Sequence, residues 1–410
     1  MRVATLAVLI IACSSAASAQ GPWEGPKTFQ ASELLAPEER KGPHHTVEDE
    51  VSTDGFYFAF TLHTDFGDLT PLGRDVLKKR IRETNALEAL HEVSKTEVFL
   101  EAAGRSLGSV GKGMANVAKD PEGTAKGLGG GVKRFGVNLG RKTQRVAEDA
   151  TDGNDEEEKS TTDTAEDVAN AVFGVNKSAR VWAEKLQVDP YSRNSTLQKA
   201  LIEIAKLDAA GGIAAKVAVP IPTVVSATSS VSGLVWGKDP EELRKNNEAW
   251  LSALGVSDEI AKEFFRNTSF TLTDQTRFSA ALHEVQATGL ADYVDAARGA
   301  KTPREALFYV ESAEMLQRQH AGAPVQEVLT DSRAMVATVS GVAMALLPLD
   351  YLAWTEAVAE ASSEIAERAR KELGAGGLEM HVTGQASERA RQELKTLGWG
   401  LRERVPSAHP

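Results

Sequence analysis

Cysteine is almost absent from the 410-residue chain: Cys13 is the only one. That excludes an internal disulfide, a cysteine-ligated structural metal and a paired-thiol redox motif. Histidine is also sparse, and none of the eight forms an H-E-x-x-H pair. His44 and His45 are adjacent, but two neighbouring imidazoles rarely hold a metal alone, so they read as loop residues. A phosphate loop is missing too. Gly111-Lys112-Gly113 lacks a hydroxyl residue after the lysine, and the glycines at 127–131 do not fit the dinucleotide pattern. No metal and no cofactor are therefore expected. Basic charge is in deficit over the whole chain, 46 Lys and Arg against 58 Asp and Glu, which argues against a nucleic-acid partner.

Two catalytic spellings occur without their context. Gly104-Arg105-Ser106-Leu107-Gly108 matches a nucleophile elbow, but it follows the tail of a helical pattern rather than a strand. Ser109 and Lys112 give S-x-x-K, yet neither S-D-N nor K-T-G accompanies it.

What is present begins at the first residues. Arg2, the apolar run Val3 to Ala12 and the small residues Ala17-Ser18-Ala19 have the layout of a signal peptide over 1–19. The run is too short to span a bilayer. Ile10-Ile11-Ala12-Cys13 also fits the stretch ahead of a lipidated cysteine, so Cys13 is the candidate lipid anchor if cleavage falls there instead. Either way the expected location is outside the cytoplasm, in the periplasm or cell envelope, lipid-anchored in the second case.

Residues 20–50 are rich in proline and charge and read as a polar arm. A strand-plus-helix unit follows over 51–103. Gly55 to Leu62 is the strand, and 74–100 is a helix with Val76, Leu77, Ile81, Leu87, Leu90 and Val93 on one face. Residues 104–146 are basic and rich in glycine, and 147–167 are acidic with no apolar run, a disordered linker. Helical periodicity dominates 168–325. Asn194, Asp239, Ser257, Asp274 and Thr302 stand where helices should start, with Pro240 and Pro303 at first positions. Val217 to Trp236 carries no charge, but its two prolines make a buried element the better reading than a membrane span.

The last segment, 326–405, changes character. Two β-branched runs flank Ser340-Gly341, a hairpin signal. A helix over 351–373, a strand over 378–382, a helix capped by Ser387 and a final strand from Trp399 follow. The chain thus reads as α+β and predominantly helical, with a helical body, a small mixed α/β C-terminal module and a short N-terminal strand pair.

Two candidate sites emerge. Arg105, Lys112, Lys119, Lys126 and Lys133 fall seven apart, and Arg134, Arg141 and Lys142 extend the basic series. Wound on a surface, they form a basic stripe beside Leu107, Met114, Leu128 and Phe135. Eleven glycines between 104 and 140 make an isolated helix untenable, so the segment needs a surface to fold on. An anionic membrane surface or envelope polymer is the expected partner. The second candidate is the polar turn with Asp189, Tyr191, Arg193 and Asn194. The functional expectation is an exported envelope protein with a structural or interaction role. The alternative is an exported hydrolase whose site is assembled from distant residues of the helical and α+β body.

Overall fold

A computed structural model describes residues 23–96, 177–211, 230–331 and 334–406. The fold is α+β and mainly helical, with small mixed sheets and an N-terminal strand unit. Cys13, the basic segment, the acidic linker and all of 212–229 lie outside the described residues.

The stretch expected to be a polar arm is folded. It carries strands β1 (Lys27–Gln30), β2 (Lys41–Gly42), β3 (His45–Val47) and β4 (Glu50–Thr53), with one-turn helices α1 (Ala31–Leu34) and α2 (Pro37–Arg40). The expected single strand over 55–62 is instead two, β5 (Phe58–Ala59) and β6 (Leu62–Thr64). They join separate antiparallel sheets, β1-β4-β5 and β2-β3-β6. Between them Phe60 donates its N–H to Pro71 O at 3.1 Å, outside either ladder. Period-two burial makes the unit: Val51, Phe58, Phe60 and Leu62 face inward onto Leu77 and Ile81. Most of the charges that suggested an arm are exposed, while Glu24 turns inward and accepts from Trp354 N–H at 2.7 Å.

Helix α3 (Arg74–Ser94) buries Leu77, Ile81, Leu87, Leu90 and Val93 as its spacing predicts. Helix α4 is described over 177–185, and α5 (Ser195–Gly211) and α6 (Ser230–Gly237) follow. Trp182, Leu197, Leu201 and Ile204 pack with the second half of α3. Next come α7 (Pro240–Ala253), α8 (Asp258–Arg266), α9 (Leu272–Val285), α10 (Leu290–Ala297) and α11 (Pro303–Gly322). Asp239, Ser257 and Thr302 cap their helices as expected. For α9 the cap is Thr271 rather than Asp274. Thr271 N–H donates to Asp274 Oδ2 at 2.9 Å and Asp274 N–H to Thr271 Oγ1 at 3.1 Å, a reciprocal capping box.

The five-stranded sheet has the order β13-β11-β9-β8-β7. Its members are β7 (Glu327–Asp331), β8 (Ala334–Val339), β9 (Val342–Leu347), β11 (Gly377–Val382) and β13 (Trp399–Arg402). The β8–β9 hairpin turns at Ser340 and Gly341, with φ of 51° and 80°; positive φ at both centres suits a two-residue hairpin turn. Helices α12 (Glu356–Glu372) and α13 (Glu388–Thr396) carry the crossovers to the parallel strands β11 and β13. The helix expected from 351 starts later, because Tyr351–Leu352 form strand β10, parallel to β12 (Gln385–Ala386).

Strand β8 is buried on both faces. Met335 and Ala337 meet Phe278, Tyr293 and Leu316 of the helical body, while Ala334 and Val336 meet the packing around Ile365, Ala369 and Leu394. A sheet covered on both sides needs helices from both flanks. The core therefore runs across the boundary expected at 325/326. Among the described residues, no helix is long and apolar enough to cross a membrane.

Candidate binding cavity

The first two turns of α3 set Leu77 and Ile81 into the core and turn their other face to a cavity of about 650 Å³. Val76, expected on the core face, lines this cavity instead. The other walls are the turn at 187–193, the end of α6 at Val235 and Trp236, and the first turns of α9 and α11. Three helices thus bring their N-terminal ends to one space, where partial positive charge accumulates.

Charged side chains converge there, and most neutralise one another. Lys79 donates to Asp189 at 2.8 Å, and Thr273 Oγ1 donates to the same carboxylate at 2.5 Å. Burial pushes Asp189 up, but the Lys79 charge and these hydrogen bonds hold it below the ordinary range. Glu83, almost wholly buried, accepts from Arg80 at 2.5 Å, from Asn194 Nδ2 at 3.1 Å and from the Ser192 hydroxyl. Arg277 grips Glu314 through two bonds of 2.7 Å, the fork geometry that suits a guanidinium.

Beyond the floor lies a recess of about 20 Å³, room for one water, bounded by Tyr57, Arg74, Arg304, Glu311 and Asp350. The Arg304 guanidinium stacks 4.2 Å from the Tyr57 ring centre and pairs with Glu311. Burial pushes Glu311 up to about 7, outweighing the attraction of Arg304. Burial likewise raises Asp350 to about 6, against the backbone N–H groups of Phe58 and Arg74 that bond its carboxylate. The Tyr57 hydroxyl and the Nε atoms of Arg74 and Arg304 are buried without a hydrogen-bond partner.

Of the polar-turn residues, Asp189 and Arg193 line the cavity. Arg193 donates to Thr268 O at 3.1 Å and to Ser269 O. Asn194 works behind the wall, where its Oδ1 accepts from Thr196 and Leu197 N–H at 3.1 and 3.2 Å and caps α5. Tyr191 is half-buried, and its N–H donates to Asp189 Oδ1 at 2.9 Å. The basic series Arg105 to Lys142 and Cys13 lie outside the described residues.

His44 and His45 do not converge on a common point. His44 Nδ1 bonds Asp65 at 2.9 Å, and His45 is buried with Nε2 3.3 Å from Glu39 O. Among the described residues, no group of three His, Asp or Glu is arranged to hold a metal.

No known family model, curated protein or solved structure matches the chain.

Sequence reasoning missed Asp75, Lys79, Arg82, Arg277, Arg304 and Glu311, all cavity residues. The signal that existed was a charged helix face, Asp75, Lys78, Lys79 and Arg82, recurring at helical spacing. Such a face ordinarily points to solvent.

Proposed function

We propose that the protein is an exported binding protein of the cell envelope that takes a small charged ligand into the cavity beside α3. The cavity itself carries this proposal. It has the size of small-molecule sites, and it joins apolar walls with charges drawn from separate stretches of chain. Export is supported by the arrangement of residues 1–19, with Cys13 as the alternative anchor point. Thermal denaturation of the full chain is the test, against millimolar amino acids, short peptides, sugar acids and inorganic phosphate. A ligand at a hundred times its Kd adds about 2.7 kcal/mol, a rise of several degrees in Tm. At least one member should raise Tm, and Arg82→Gln should lose the effect. An unmoved Tm across the panel would refute the proposal.

The basic segment supports a second role, contact with an anionic membrane or envelope polymer, on the strength of its seven-residue spacing from Arg105 to Lys133. Co-sedimentation with anionic vesicles at low salt should vanish at high salt and on deletion of 104–146. Absence of binding at low salt removes that role. The hydrolase alternative has one observation in its favour, the Glu311 carboxyl poised near neutrality at the cavity floor, where acid–base catalysis would need it.

A further inference from the structure

The structure assigns to this cavity a ligand class, an elongated zwitterion such as a short peptide, lying along α3 with its ammonium at Asp75 and its carboxylate at Arg82. The assignment rests on the binding function proposed above and narrows it. Its basis is which charges remain after the pairs are taken out. Lys79 is held by Asp189, Arg80 by Glu83, Arg277 by Glu314 and Arg304 by Glu311. Lys78 lies 3.6 Å from Glu39, and Arg193 has no carboxylate partner among the described residues but spends its guanidinium on the Thr268 and Ser269 carbonyls. Asp75 and Arg82 line the same wall, yet among the described residues neither side chain makes a hydrogen bond or an ion pair.

Most of the neighbouring charges are already engaged elsewhere. The carboxylates that act on Arg82 are Glu83, already engaged by Arg80, Ser192 and Asn194, and Asp75 itself. The cations that act on Asp75 are Lys78, Arg304, Arg277 and Arg74, of which Arg304 and Arg277 are committed to glutamates. Asp75 and Arg82 are seven positions apart, so they share nearly one helix face, about 10 Å apart along the axis. That is too far for them to bond each other. It is also about the end-to-end reach of an extended tripeptide.

The signs matter as much as the distance. A ligand carrying only negative charge would meet Arg82 and then Asp75; one carrying only positive charge would meet the reverse. A ligand with one charge of each sign at its two ends is attracted at both. In the same cavity Val76, Val188, Val235 and Trp236 offer apolar surface for a central side chain.

Calorimetric titration of the full chain tests this with the tripeptide Ala-Leu-Ala, its N-acetyl form, its C-terminal amide and inorganic phosphate. The free peptide should bind at least tenfold more tightly than either blocked form. Asp75→Asn should weaken the free peptide about tenfold while leaving the N-acetyl form unchanged. Arg82→Gln should do the converse, sparing the amide, and Arg82→Lys should restore part of the loss. A misfolded variant would lose every form alike, so the selective pattern separates ligand contact from structural damage. Equal binding of free and blocked peptides overturns the assignment. Binding of phosphate without peptide overturns it as well, while leaving the binding function standing. Silence from every probe here and from the thermal panel overturns both.

Discussion

Asp350→Ala should cost about 3 kcal/mol, since it leaves buried backbone donors unsatisfied. The expected readout is a lower denaturation midpoint with little change in the denaturant slope. The carboxylate joins three parts of the fold. Its Oδ2 accepts from Phe58 N–H at 3.0 Å in the N-terminal strand unit. Both oxygens accept from Arg74 N–H at 3.2 Å, the first residue of α3. Its backbone is held by Phe56 O on one side and Gln385 N–H on the other. Helix α3 has no cap of its own, because Gly73 precedes it with φ of 103°, a conformation that favours glycine. A Cβ at Gly73 would also come within 3.0 Å of the Arg304 guanidinium. Asp350 therefore caps α3 from 276 residues away. Alanine removes the acceptor for both N–H groups and takes a negative neighbour from Arg304. Asp350→Asn keeps one oxygen and should cost less than half as much. A cost below about 1 kcal/mol for alanine would mean water replaces the carboxylate, and the cap would then be incidental.

That long-range cap shows where the sequence stops being legible. Features decided within four residues were readable: the Ser340-Gly341 turn, the caps at Asp239, Ser257, Thr302 and Ser387, and the apolar stripe of α3. The α9 start was misplaced by three residues because Thr271 and Asp274 cap each other, and either alone looks like a cap. The N-terminal strands were missed for a different reason. Several have two to four residues, too few for a period to show, and their inward side chains are buried only by partners such as Leu77 and Tyr351. The cavity was the least legible part. Asp75 and Arg82 sit on a charged helix face, and nothing local distinguishes charge facing solvent from charge facing a cavity. Only the arrival of the 187–193 turn, α9 and α11 opposite that face makes the difference.

Stability should peak near pH 4 and fall by about 3 kcal/mol between pH 5 and pH 8, as two buried carboxyls lose protons that folding had retained. Burial raises Glu311 to about 7, opposed by Arg304, and raises Asp350 to about 6, opposed by N–H donors. In the unfolded chain both lie at about 4. Between those values the folded protein binds more protons than the unfolded one, so stability declines as pH rises. The contribution is complete below about pH 4 and is lost through about pH 6 and 7. Moving one carboxyl's titration by a single pH unit is worth about 1.4 kcal/mol. The two groups share Asp75 and Arg304 as neighbours, so their effects do not add fully. The acid side is set by carboxylates held low. The Arg391 guanidinium bonds Glu403 at 2.8 and 2.9 Å and keeps it below the ordinary value. For Asp189, Lys79 outweighs burial. Their contribution is present above about pH 4 and disappears as pH falls below it, which closes the window from the other side. Denaturant midpoints between pH 4 and 8 test the balance. Glu311→Gln resembles the protonated carboxyl, so it should change stability little near pH 5 yet flatten the decline between pH 5 and 8. The slope is the diagnostic quantity: a variant as steep as the wild type would assign the pH dependence to groups other than Glu311.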